Sequence, residues 1–270
     1  MGMNRQCPAF VLVAILVSVA PAIRAADYVE IKVELNSTWK SQTKTNHHSK
    51  TARCVVGTNG WYIAGNFLEN AETHYWLIGT NVIEHRIITS SMYLRQAEDF
   101  VSERILRRKP TSPMPMAGSY PHAGEKFTTV HPSPQGQPAG QGTANAVWLA
   151  FCSGTYLKLE GRQIPMPLGP ASQAFGYSDK TVVFEDGLGL PKSVELYATN
   201  GQLVCEYEVL QATNFLGRTF PLKFRLVQHG QPASGRARIG SKSELFGSVT
   251  AIQIGKQPKL PDEIQKELEK

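Results

Sequence analysis

Three of the four cysteines, a scatter of histidines and one small group of acids are the residues of this chain whose types could do chemistry. Cys54, Cys152 and Cys205 each sit in an apolar stretch: RCVVG, LAFCSG and LVCEYEV. A cysteine beside a histidine base could be a hydrolase nucleophile. No spacing here singles out a partner for Cys152, and CSG after WLAF reads as a packed helix end. Buried thiols acting as small hydrophobes fit the same contexts. With three thiols in an oxidising compartment at least one stays unpaired, and all three pairings are open. No C-x-x-C pair occurs, so thioredoxin chemistry and zinc ribbons lack support. The histidines are His47, His48, His74, His85, His122, His131 and His229. His47 and His48 are adjacent, and strand neighbours point to opposite faces. His74 and His85 face each other across a turn at Gly79-Thr80-Asn81, with Glu72 and Glu84 nearby. A metal ion would need a third ligand on that face, so cross-strand polar pairing is the reading. No metal and no cofactor is expected. Asp179, Glu185 and Asp186 are the close acids; they flank a turn, where Asp serves the backbone. No G-x-S-x-G elbow, H-E-x-x-H or Walker loop is present, and no catalytic residue is assigned.

Aromatic residues carry the stronger hint. Trp61, Tyr62, Phe67, Tyr75 and Trp76 crowd one region, Trp148, Phe151 and Tyr156 a second, and Phe175, Tyr177 and Phe184 a third. Trp61, Tyr75, Trp76, Trp148 and Phe151 are the candidate lining of an apolar pocket. Filled core is the alternative use of the same side chains.

The elements that would position them begin after a leader. Residues 1–25 pair Arg5 with the apolar run AFVLVAILVSVA and then small residues, the pattern of a cleaved secretory signal. The run is too short for a comfortable membrane span, and no later stretch is apolar enough to span. Cys7 precedes the run, so it is not a lipobox cysteine. Cleavage removes Arg5 and Arg24 and lowers the net charge from +6 to +4. The protein is expected in a periplasm or outside the cell, without nucleic acid as a partner. The basic group Arg104, Arg107, Arg108 and Lys109 reads as a solvated helix end rather than a lipid or nucleic-acid patch.

Tyr28–Leu35 alternates apolar and charged residues, a half-buried strand. Residues 36–50 are polar and read as a loop or a strand extension. Short strands follow over 51–56, 61–67, 74–78 and 82–89, with Asn59-Gly60 marking a hairpin. Spacing at Leu94, Ala97, Val101 and Ile105 predicts a helix over Ser91–Lys109, stopped by Pro110. Pro110–Gly142 holds seven prolines and five glycines and reads as one long irregular loop. Ala144–Lys158 is apolar and reads as a buried helix, with a buried strand as the alternative. Strands resume over 182–185, 192–198, 202–211, 220–228 and 245–254. Asp262 is placed to cap a last helical turn.

The fold class is therefore mainly β, a β-rich α+β protein. A large curled antiparallel sheet or half-barrel of about ten strands carries one or two covering helices and the long Pro/Gly loop. Residues 26–256 read as a single domain and 257–270 as a charged tail.

The run LPKSVELYATNGQLVCEYEVLQATNFLGRTFPLKFRLVQH, Leu190–His229, resembles the later part of Lol-type exported lipoprotein-sorting carriers. The matching pattern is leucine–proline, strand, turn, strand, then a long strand with a Gly-x-x-x-Pro step, here Gly217 to Pro221. It covers about forty residues with a degenerate motif. The family's early arginine-bearing strand has no counterpart here, and the Pro/Gly segment is an addition. The resemblance implies a half-barrel with an apolar cavity and carries over no functional residue. It implies a non-enzymatic protein that binds a lipid or acyl chain, with an envelope protein as a further partner. An exported hydrolase acting on envelope or extracellular polymers, and a solid-core envelope interaction protein, are the alternatives.

Overall fold

A computed structural model describes residues 28–40, 44–58, 60–68, 71–89, 106–107, 126–132, 138, 142–153, 179–184, 190–197, 201–229 and 242–269. The leader, Tyr156, Phe175, Tyr177, Glu185, Asp186 and His122 lie outside these residues.

The strands are β1 (Tyr28–Lys40), β2 (Thr45–Val56), β3 (Trp61–Leu68), β4 (Ala71–Ile78), β5 (Asn81–Ile88), β6 (Leu106–Arg107), β7 (Lys126–Pro132), β8 (Asp179–Phe184), β9 (Pro191–Tyr197), β10 (Leu203–Phe215), β11 (Arg218–His229) and β12 (Lys242–Gly255). Two helices are described, α1 (Gly142–Phe151) and α2 (Asp262–Leu268). All twelve strands join one sheet in the order β6-β7-β5-β4-β3-β2-β1-β12-β11-β10-β9-β8. Every pairing is antiparallel except β6 with β7. Two meanders thus meet where the first strand pairs with the last, Val29 opposite Ile254 and Leu35 opposite Gly247.

Alternation decides which face each residue serves. In β1, Val29, Ile31, Val33 and Leu35 are buried while Lys32 and Glu34 are exposed. α1 packs against β2, β3 and β11. β3 and β11 are four strands apart in the sheet. In a flat sheet that separation is about 19 Å, well beyond the ~10 Å width of one helix. The sheet therefore curls around α1, and it stays open, with β6 and β8 at its margins. Register shifts at Lys32/Val33 in β1 and around Val209–Ala212 in β10 add local bend and twist. The β10–β11 turn places Leu216 and Gly217 at φ +54° and +73°, the hand a tight hairpin needs. Gly217 of the Gly-x-x-x-Pro step is therefore a turn residue, and Asn214 Oδ1 accepts its N–H at 3.1 Å.

Three expectations change, and the open alternatives for two segments close. Leu106–Arg107 is a strand and not the end of a helix, because pairing with β7 overrides a loose apolar stripe; residues 91–105 lie outside the described residues. The Pro/Gly segment contains β7, whose KFTTVHP is rich in β-formers and ends on Pro132, where a strand tolerates proline. Residues 36–40 and 45–50 are paired strand, the second of the two readings open for that segment. They lack alternation because Thr45–Ser49 is exposed on both faces. Asp262 does not cap α2: Pro261 holds the N-cap without a side-chain bond. Asp262 and Glu263 instead place negative charge in the first turn, favourable to the helix dipole. The segment 144–151 is helix, which resolves its helix-or-strand ambiguity.

Candidate functional site

The concave face of the sheet is a trough whose floor is a row of directly opposed residues. Ile31 faces Cys54, Cys54 faces Ile63, Ile63 faces Tyr75 and Tyr75 faces Glu84. On the far wall, Leu245, Leu226, Tyr207 and Val194 form the matching row across β12 to β9. All of these except Glu84 belong to one buried apolar cluster.

α1 lies in this trough. Ala144 and Ala146–Phe151 are at most 2% exposed, so the helix is buried on every side. It has no acid in its first turn and no base in its last. Phe151 meets Phe224 of β11 edge-on, with ring centroids 5.8 Å apart and planes at 85°. Phe224 in turn lies over Gly247, where a Cβ would come within 2.1 Å of the ring. A glycine is required at that close approach, and it makes the dent that seats the phenyl group.

The trough ends in polar groups at β4 and β5. Buried Glu84 pairs with Arg86, two residues on and on the same face. The Tyr75 hydroxyl points to Glu84 at 3.4 Å. Burial, then the Glu84 charge, pushes the Tyr75 phenol well above its ordinary range. Trp61 Nε1, Thr73 Oγ1 and Asn145 Oδ1 are buried with no hydrogen-bond partner among the described residues.

The structure brings Trp61, Tyr75, Trp148 and Phe151 together in the trough cluster. Trp76 is not with them. It lies on the opposite face in a second cluster with Tyr62, Ile83, Val130 and Ile264 of α2. Its Nε1 donates to the Pro258 carbonyl at 3.0 Å. Phe67 joins the trough, while Tyr62 does not.

Cys152 faces sulfur and not imidazole: its Sγ is 3.6 Å from Cys54 Sγ. Burial, reinforced by the contact with Cys54, pushes the Cys152 thiol well above its ordinary range. Burial pushes the Cys205 thiol up to about 12. Neither thiol is primed as a nucleophile. His74 and His85 are cross-strand partners on the α2 face, with ring centroids 6.4 Å apart. The Tyr62 hydroxyl and His74 Nδ1 are 2.7 Å apart, and His85 Nδ1 and Thr128 Oγ1 are 2.8 Å apart. Burial, then the neighbouring His74 and Lys126, lowers the His85 pKa to about 4, with Glu263 opposing. Among the described residues no three metal-ligating side chains cluster. No described helix is long and apolar enough to cross a membrane.

Sequence reasoning missed Phe224, Tyr207, the facing of Cys54 and Cys152, and the inward pair Glu84–Arg86. The last had a signal: Glu84 and Arg86 share parity with inward-facing Val82 in one strand.

No family model matches the chain. No curated protein matches it. Among solved structures it is similar to a LolA superfamily protein from Nitrosomonas europaea, at 12% identity and TM-score 0.38, over 89% of this chain and 90% of that one. It is similar to a structure described as an outer membrane lipoprotein-sorting protein domain from Vibrio parahaemolyticus, at 10% identity and TM-score 0.39, over 90% and 92%. It is also similar to a DUF1329 family protein from Desulfovibrio piger, at 8% identity and TM-score 0.38, over 87% and 88%. The curled open sheet itself rests on the strand register and the seat of α1, independently of these likenesses.

Proposed function

We propose that this chain is an exported, non-enzymatic binding protein for an apolar ligand, a lipid or acyl chain, held in the trough that α1 occupies. The carrying observation is that helix. Apart from Asn145 its buried side chains are apolar, and it packs into a sheet-built apolar trough, so a hydrocarbon chain could take over its contacts. Transfer of hydrocarbon from water to such a surface is favourable by about 0.8 kcal/mol per methylene. The ligand thus enters as α1 yields, and Glu84, Arg86 and Thr73 give the trough a polar end for a head group. Lipid or lipoprotein carriage in a periplasm is the role this chemistry suits, with residues 1–25 as the export signal.

Native mass spectrometry tests the proposal on protein purified gently from its own host, followed by denaturation and extraction of the same sample. The expected result is a bound hydrophobic mass present only in the native spectrum. A ligand-free mass, with no uptake of added phospholipid or fatty acid, overturns it. That outcome leaves a solid-core interaction protein, with Trp148 and Phe151 as permanent filling. N-terminal sequencing of the same sample tests export: a chain starting at or near Ala26 is expected, and one retaining Met1 opposes it.

A further inference from the structure

We infer that Cys54 and Cys152 are a disulfide site that ties the C-terminal end of α1 to the sheet and leaves the rest of the helix as the part that can yield to a ligand. The two sulfurs come from elements 98 residues apart in sequence and stand 3.6 Å apart. Cys54 is fully buried in β2, on the trough floor between Ile31 and Ile63. Cys152 is the residue that follows α1, and its backbone N–H donates to the Trp148 carbonyl at 2.7 Å. Helix geometry therefore holds its sulfur above the floor. A disulfide closes that gap to ~2.05 Å, a further approach of about 1.5 Å between two sulfurs already in contact. Cys205 does not compete. It is buried in β10 of the other meander, opposite Leu196 and Gln228.

The step needs an oxidant, a low-molecular-weight or protein disulfide of an oxidising compartment. Cys152, the less buried residue of the two, gives its proton to solvent, and its thiolate attacks one sulfur of the oxidant. The oxidant's S–S bond breaks and a first thiol leaves. Cys54 then loses its proton and attacks the Cys152 sulfur, expelling the second thiol. Two protein thiols have given up two electrons and two protons, and one external disulfide has become two thiols. Because burial disfavours the Cys152 thiolate while α1 is seated, the bond forms during folding or when the end of α1 opens.

The test uses the full chain, fully reduced, then incubated with glutathione disulfide a few degrees below its unfolding midpoint. Samples are quenched in acid, alkylated under denaturing conditions, digested and mapped without reductant. The expected product is one peptide pair joining Cys54 to Cys152, with Cys7 and Cys205 recovered alkylated. The oxidised protein should melt on the order of 10 °C above the reduced one, given so long a closed loop. Cys205→Ala should keep both results, and Cys152→Ser should abolish both. Recovery of all thiols alkylated, a stable glutathione adduct at Cys152, or a link involving Cys205 overturns the inference. The mapping reads the bond itself, so its outcome is independent of whether the trough takes lipid.

Discussion

The two faces of β1 to β5 are built from adjacent residues and come out as different materials. One face reads Ile31, Cys54, Ile63, Tyr75; the next residue back or forward in each strand reads Glu30, Val55, Tyr62, Trp76. The first face continues through β12 and beyond into one long apolar cluster under α1. The second supports a small cluster under α2, mixed with histidines and an ion pair from Arg53 to Glu30 at 2.8 Å. Their covers differ too. α2 follows β12 directly, and the segment between them is stitched down by hydrogen bonds from Trp76 to Pro258 and from Gln257 to the Trp61 carbonyl. α1 presents hydrocarbon to the trough, with Asn145 as its buried polar exception. One face therefore has a cover tied down by hydrogen bonds, and the other a filling held mainly by apolar packing.

The comparison breaks most easily on the trough side. Phe224→Ala should destabilise the protein by about 4 kcal/mol in urea unfolding, since it removes a fully buried ring that seats α1. A loss under 1 kcal/mol would mean that the trough is not packed against its helix. The α2 face should instead respond to acid. The His85 pKa of about 4 lies below the unfolded value of 6.5, so the unfolded chain takes up its proton first. This contribution to stability is complete above pH 6.5, falls as pH drops towards 4, and is level below. The full change is about 3 kcal/mol, and His85→Gln should flatten that part of the pH profile. Ile264→Ala should cost about 2 kcal/mol, less than Phe224→Ala because it anchors the smaller cluster. Hydrogen exchange should then accelerate in 257–268 and not in 142–151. The smallest effect belongs to Glu30. Its carboxyl is held below the usual range, first by the hydrogen bonds from Arg53. That stability is present above the unfolded value of 4.5 and is lost as pH falls through the folded one. With the Arg53 side chain 42% exposed, Glu30→Gln should cost only about 1 kcal/mol at pH 7, a cost that shrinks as pH falls below 4.5. A cost that persists at pH 2 would assign the effect to packing.

Most strands were legible because a half-buried strand must alternate, as Val29 to Leu35 does. Strands β6 and β7 were not, and the outer halves of β1 and β2 were legible only as one of two readings. Thr45–Ser49 is exposed on both faces, and β7 sits inside a Pro/Gly-rich stretch, so side-chain alternation does not mark them. The α1 segment was ambiguous because burial on every side erases periodicity. As for the site, parity alone separates Tyr75 from Trp76: neighbours in a strand cannot line one cavity. What parity does not say is which face curls inward. That depends on where α1 sits and on partners far off in sequence, such as Phe224 over Gly247.

The meeting of β1 with β12 sets the order in which the molecule can be made. Thr250 Oγ1 donates to the Lys32 carbonyl across 218 residues, at the middle of the sheet. Each meander can pair locally as it emerges, but their junction waits for the last strand. Until then the row of backbone groups on β1 that β12 will cover is an open edge, ready to pair with another chain. A protein threaded through an export channel from its N-terminus would carry that edge unprotected for almost its whole length. Its assembly is therefore the stage at which a chaperone, or dilution, matters most.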